Sequence, residues 1–222
     1  MSSPSLAATI RPSSPISWCD RALRDGYAAF PLRILGIDPG SLVTGYGVVE
    51  RRGAGLHHVA HGVLRPPRSA PLATRLAAIH AGIVAVIESH RPELVVVERV
   101  FVAVNPRAAL VLGQARGVAL AAAAAAGLRV DELSPQAVKL AVVGTGAAQK
   151  LQVQRMVQRL LALEVPPAQD AADALAAALC AGQQSRRLTL AVAALDASRT
   201  LRRGRRPRGT TRAGRFVLRR SR

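Results

Sequence analysis

The chain has 222 residues, half of them apolar and only 3% aromatic, so one sizeable core is within reach and alanine must fill much of it. Its two cysteines, Cys19 and Cys180, lie far apart and outside any C-x-x-C spacing, which argues against a disulfide framework or a cysteine zinc site and suits a reducing cytosol. The formal charge is +18, an excess that points to a polyanionic partner, because cationic side chains release counterions from phosphates.

That charge is unevenly spread. Residues 185–222 hold thirteen arginines against Asp196, a net of +12, which leaves +6 for the other 184 residues. Nucleic acid is the leading reading, and a solvated basic tail the plainer one. No uninterrupted apolar run reaches the ~18–20 residues of a membrane span. The longest candidate, Gly117 to Leu128, is mostly alanine and reads as a buried helix. The first 32 residues lack the basic-then-apolar order of a signal peptide, so the chain reads as cytoplasmic, with no membrane partner.

In chain order, residues 1–32 are Ser- and Pro-rich and read as a disordered extension or the product of an upstream start codon. Arg33 to Asp38 is a short apolar run closed by the turn Asp38-Pro39-Gly40. Thr44 to Glu50 and Leu56 to Leu64 follow as two more strands of an antiparallel meander. Leu72, Leu76, Ile79, Ile83, Val86 and Ile87 recur at steps of three and four, the mark of one helix face. Leu94 to Glu98 reads as a strand buried on both sides. A helix over Arg107 to Ala126 contains Gly113 and Gly117, spaced for close packing against a neighbour. A fifth strand over Leu128 to Leu133 precedes helices near 135–143, 149–163 and 169–182. The order implies an α/β fold, a mixed five-stranded sheet flanked by helices, over residues 33–184. Residues 185–222 form an Arg-rich tail that reads as disordered.

Acids are few in the folded part. Asp38 and Glu98 each end a strand, and Asp170 and Asp173 lie three apart at a helix start, on one side. Each has a local explanation: a turn-forming Asp, a solvated strand end, and carboxylates favoured by a helix macrodipole. If the first and fourth strands are neighbours, however, the four converge. Four carboxylates in one place require protons or cations, and all-oxygen donors suit Mg²⁺ or Mn²⁺. Two such ions can activate water and stabilise the leaving oxygen in phosphodiester hydrolysis.

Four blocks of the sequence then resemble one family. Ile34-Leu35-Gly36-Ile37-Asp38-Pro39-Gly40-Ser41 with Thr44-Gly45-Tyr46-Gly47 is similar to the opening of the RuvC family of Holliday-junction resolvases. Glu98-Arg99-Val100-Phe101, Leu112-Gly113-Gln114-Ala115-Arg116-Gly117 and Asp170-Ala171-Ala172-Asp173-Ala174-Leu175-Ala176 resemble its second, third and closing blocks, in order across residues 33–182. The resemblance implies an RNase H-like fold and a homodimer that cuts four-way junctions symmetrically during recombination and repair. It implies two Mg²⁺ ions, replaceable by Mn²⁺, held by Asp38, Glu98, Asp170 and Asp173, with Asp38 between them. It also implies cooperation with a junction-binding and branch-migration complex of the RuvA and RuvB type.

Phe101 matches a family aromatic that packs on bases near the crossover, a contact worth ~1–3 kcal/mol where a base is unpaired. Lys139 and Lys150, the chain's only lysines, fall where the family has basic residues near the scissile strand. Arg116 reads equally as a phosphate contact or as a structural hydrogen-bond donor. His57, His58 and His61, with no acid pattern around them, read as surface or packing residues rather than metal ligands. Val104 and Gln149 depart from the family, which carries a basic and an acidic residue there. Two rivals remain. A phosphotransferase of the actin and sugar-kinase type would share the Asp38-Pro39-Gly40-Ser41 turn but needs a second domain the chain has no length for. A non-catalytic RNase H-like junction-binding protein would have lost one or more of the acids.

Overall fold

The computed structural model describes residues 32–99 and 105–185. The extension before Leu32, Phe101, Val104 and the arginine tail after Ser185 lie outside the described residues. Strands β1 (Leu32–Asp38), β2 (Thr44–Arg52) and β3 (Gly55–Leu64) form the expected antiparallel meander. After helix α1 (Leu72–His90), strand β4 (Leu94–Glu98) pairs with β1 in parallel. Helix α2 (Pro106–Ala125) then crosses over to β5 (Arg129–Leu133), parallel to β4. The five strands stand in the order β3-β2-β1-β4-β5. Helices α3 (Pro135–Val143), α4 (Lys150–Leu160) and α5, over 169–185, complete the domain.

The period-two alternation of the strands divides the core into two layers. Leu35, Ile37, Val48, Val95 and Val97 face α1 and α2, where they meet Ile79, Ile83, Ala119 and Ala122. Ile34, Val49, Leu94 and Val96 face the other way, toward α3, α4 and α5. Local signals set several helix ends. The Asn105 side chain accepts from the Arg107 and Ala108 amides ahead of α2, and Ser134 accepts from Ala137 ahead of α3. Pro follows each cap, and Gly144, at φ 85°, ends α3.

Helix α5 sits on the sheet with almost nothing between the backbones. Ala171, Ala172, Ala174, Ala176, Ala177 and Ala178 are all buried. Opposite them the sheet presents glycine. A Cβ on Gly36 would stand 1.9 Å from the Ala174 carbonyl oxygen, and one on Gly45 would stand 2.0 Å from that of Asp170. No side chain fits at either place. The small residues on both sides let α5 approach closely enough for its first turn to reach the ends of β1 and β4.

Several expectations are corrected. Gly113 and Gly117 do not serve close packing within this chain: a Cβ at either would meet nothing within 4 Å among the described residues. Helix α4 stops at Leu160 rather than near 163, because the chain turns through Ala162 at φ 49° while the Leu163 amide donates to the Gln158 carbonyl. Helices α1 and α2 have the length and mean apolarity of membrane spans, which a count of uninterrupted apolar residues does not register. Each nevertheless buries one face of the helix, through Ile79, Ile83, Val86 and Ile87 in α1 and through Ala115, Ala119, Ala122 and Ala123 in α2.

Substitution of these glycines separates the two situations. Gly36→Ala is expected to destabilise the domain by at least about 1–3 kcal/mol through overpacking. Gly113→Ala, with open space and a helical backbone, is expected to raise stability by up to about 1 kcal/mol. Urea titration of both variants checks the opposite signs.

Candidate active site at the β1, β4 and α5 junction

The pairing of β1 with β4 puts Ile37 beside Val97, so Asp38 and Glu98 leave the same end of adjacent strands. They share the parity of Gly36 and Val96, which directs both carboxylates to the face that α5 covers. The contact of Gly45 with the Asp170 backbone brings the first turn of α5, with Asp170 and Asp173, to that spot. The four acids predicted from sequence therefore converge. Behind them Thr44, fully buried, donates its hydroxyl to the Gly40 carbonyl at 2.7 Å and closes the Asp38-Pro39-Gly40 turn. The sequence reading used Thr44 only as part of a motif. Its spacing of four after Gly40, at the start of a strand, is the signal that could have assigned it this role.

Electrostatics register the convergence. Burial, followed by the charges of Asp173, Glu98 and Asp170, raises the Asp38 pKa to about 7, while Lys150 pulls it down. Burial and then Asp173 raise Glu98, with Lys150 and Lys139 opposing. Asp173 is raised chiefly by burial; Lys150, by its charge and a hydrogen bond, acts against that, and Asp170 adds to it. Lys150 Nζ lies 3.5 Å from Asp173 Oδ2. Lys150 and Lys139 both lie close enough to act electrostatically on the carboxylates. Gln149 caps α4: its backbone amide donates to the Gln152 side chain at 2.8 Å.

Arg116 makes contacts of the kind its structural reading expects. Its guanidinium pairs with Glu132 at 2.7 Å and donates to the Glu98 carbonyl at 3.4 Å, tying α2 to the ends of β4 and β5. Arg99 reaches the same Glu132 at 3.7 Å. His58 and His61 contact one another on β3, and burial, followed by the charge of His61, holds His58 below the ordinary imidazole range.

The donor set fits a hard divalent cation. All four groups are carboxylates, and the ionised form of three of them is disfavoured by partial burial and mutual repulsion that a cation would relieve. Among the described residues no three His, Cys, Asp or Glu side chains already form a closed metal-ligating group. The acids interact through space as charges rather than as a finished shell.

The model of the family described as crossover junction endodeoxyribonuclease RuvC matches residues 34–181. The chain belongs to the RuvC family. A RuvC of Hyphomonas neptunium is 53% identical over 151 residues, covering 68% of this chain and 90% of the relative. A RuvC of Burkholderia multivorans is 47% identical over 178 residues, covering 78% and 98%. Among solved structures, Thermus thermophilus RuvC in complex with a Holliday junction substrate superposes with a TM-score of 0.67 at 36% identity, covering 71% of this chain and 97% of that one. The yeast mitochondrial resolvase Ydc2, 16% identical with a TM-score of 0.51, shares the fold. The sheet and its flanking helices are therefore the RNase H-like arrangement of the resolvases, and the chain is an endonuclease acting on DNA.

The carboxylate repulsion has a measurable sign. With its pKa raised above the unfolded value of 3.8, Asp38 contributes a penalty that is absent below pH 3.8, grows as pH rises, and is complete above about 7. In EDTA at pH 8, Asp38→Asn is expected to be more stable than the parent, by at most about 4 kcal/mol, with the gap closing toward pH 4. Urea titrations across that range check it. Arg116→Ala, by contrast, is expected to lose only about 0.5–1 kcal/mol of stability, because Glu132 is exposed and keeps Arg99 as a partner.

Proposed function

We propose that Asp38, Glu98, Asp170 and Asp173 are the catalytic centre of a crossover junction endodeoxyribonuclease, and that they hold two Mg²⁺ ions, for which Mn²⁺ can substitute. The observation that carries this is the convergence of four carboxylates from β1, β4 and α5, with Asp38 most strongly perturbed among the groups with raised pKa values. The substrate is the four-way DNA junction, and the role is resolution of junctions in recombination and repair within the cytoplasm.

When bound, Mg²⁺ supplies a lowered water pKa and charge neutralisation for in-line phosphodiester hydrolysis. The chain's own residues do the rest. Asp38 is fixed by the turn that Thr44 closes, so its carboxylate stays aimed into the cluster. Glu98 is held by the backbone of β4, whose terminal carbonyl accepts from Arg116. Asp170 and Asp173 ride on a helix whose position the sheet glycines set. Lys150, exposed and pointing at Asp173, and Lys139 offer compact positive charge where a phosphodiester would approach. Phe101, three residues after Glu98, is proposed to pack on bases near the crossover. The homodimer would present two such centres for symmetric cutting, with a junction-binding and branch-migration complex of the RuvA and RuvB type as partner. The contrary reading, a junction-binding protein without activity, requires the loss of an acid, and all four are present.

A labelled synthetic junction, incubated with Mg²⁺ or EDTA beside a linear duplex, tests the proposal. Paired nicks near the crossover are expected, dependent on Mg²⁺ and absent from the duplex. Asp38→Asn should lower the cleavage rate by more than about a hundredfold, beyond what loss of a ligand's supporting partner costs, while junction binding persists. Binding without cutting in either Mg²⁺ or Mn²⁺, across several junction sequences, would assign the protein to the non-catalytic reading.

A further inference from the structure

Strand β3 carries an irregularity with a chemical consequence. Its pairing with β2 shifts between Val48, which faces Ala60, and Val49, which faces His58, so Val59 has no partner of its own. Val59 and Ala60 consequently both pack toward the α1 and α2 layer. In an unbroken strand, residues three apart point to opposite faces. Here the bulge returns His58 and His61 to the same face, with Nε2 of the first 2.8 Å from Nδ1 of the second. The rings are tilted by 59° with centroids 4.9 Å apart, so their facing nitrogens converge instead of stacking.

The pair lines a cavity of about 780 Å³ between β3 and the segment that joins α4 to α5. Glu164, exposed on that segment, lines the same cavity but forms no three-residue metal-ligating group with the two rings. The segment is tied to α4, since Gln154 donates to the Pro167 carbonyl at 2.7 Å and Gln158 to that of Leu163 at 3.3 Å.

We propose that His58 Nε2 and His61 Nδ1 chelate a transition-metal ion of the Zn²⁺, Ni²⁺ or Cu²⁺ class in this cavity, with water completing the coordination. Imidazole pairs select these ions over Mg²⁺, which prefers oxygen. The site is thus of a different metal class from the carboxylate cluster. Metal–nitrogen bonds of about 2.0–2.1 Å in a tetrahedral shell separate two nitrogens by about 3.3 Å, so the observed pair would open by about 0.5 Å and each ring would turn its lone pair from the line between the nitrogens toward the ion. The proton now shared between the rings moves to an outer nitrogen. Two neutral imidazoles therefore take up the metal with no net proton release, each keeping its one N–H on the far side of the ring.

Calorimetric titration of the full chain with Zn²⁺, in excess Mg²⁺ to occupy the carboxylates, is the test, run beside Cu²⁺ titration followed by electron paramagnetic resonance. One equivalent of Zn²⁺ is expected, with two-nitrogen hyperfine structure on Cu²⁺. His58→Gln and His61→Gln should each weaken binding by more than about tenfold. His80→Gln, on α1, should leave it unchanged. Circular dichroism of every variant separates lost binding from lost fold. No binding by the parent chain, or undiminished binding by a correctly folded H58Q/H61Q double variant, would overturn the site.

Discussion

The approach of α5 to the sheet is the constraint on which the other features depend. Two glycines in adjacent strands and a run of alanines on the helix remove the side chains that would otherwise keep the backbones apart. Helix packing normally leaves axes 8–10 Å from their neighbours, at distances set by the contacting side chains. Here the contacts are backbone atoms, and the first turn of α5 is drawn to the ends of β1 and β4. Without that approach Asp170 and Asp173 would not share a space with Asp38 and Glu98.

This arrangement carries an energetic cost at the point of function. Three partly buried carboxylates have pKa values pushed upward by burial and by one another. Lys150 and Lys139 offset part of the repulsion without closing the cluster. On the proposed reading the remainder would drive binding of a divalent cation: the same repulsion that weakens the fold would favour the metal. A site built this way requires firm support, and Thr44 beneath Asp38 and Arg116 behind Glu98 provide it. On the proposed reading, stability and activity are opposed at Asp38, whose neutral replacement should strengthen the fold while removing function.

Much of this was legible in the sequence. The succession of elements along the chain and the four acids could be read because alternation and turn residues mark strand ends, and because acids are scarce in a basic chain, whereas the adjacency of β1 and β4 stood only as a condition. The two lysines stood out for the same reason, against a background of arginine. What could not be read depends on partners distant in sequence. Gly36 and Gly45 carry no periodic signal, and only α5, more than a hundred residues later, explains them. Gly113 and Gly117 had the spacing of a packing motif, yet open space faces both. Arg116 is committed to Glu132 by the crossover of α2, a relation that composition cannot reveal. The bulge in β3 that unites His58 with His61 is likewise a property of strand pairing and not of local pattern.

The most direct test of the central claim is an anomalous-scattering experiment on crystals of the full chain soaked in Mn²⁺. The account predicts two peaks about 3.5–4 Å apart, enclosed by Asp38, Glu98, Asp170 and Asp173. Peaks elsewhere with none among these four carboxylates, or a soaked crystal with no Mn²⁺ bound at all, would contradict it.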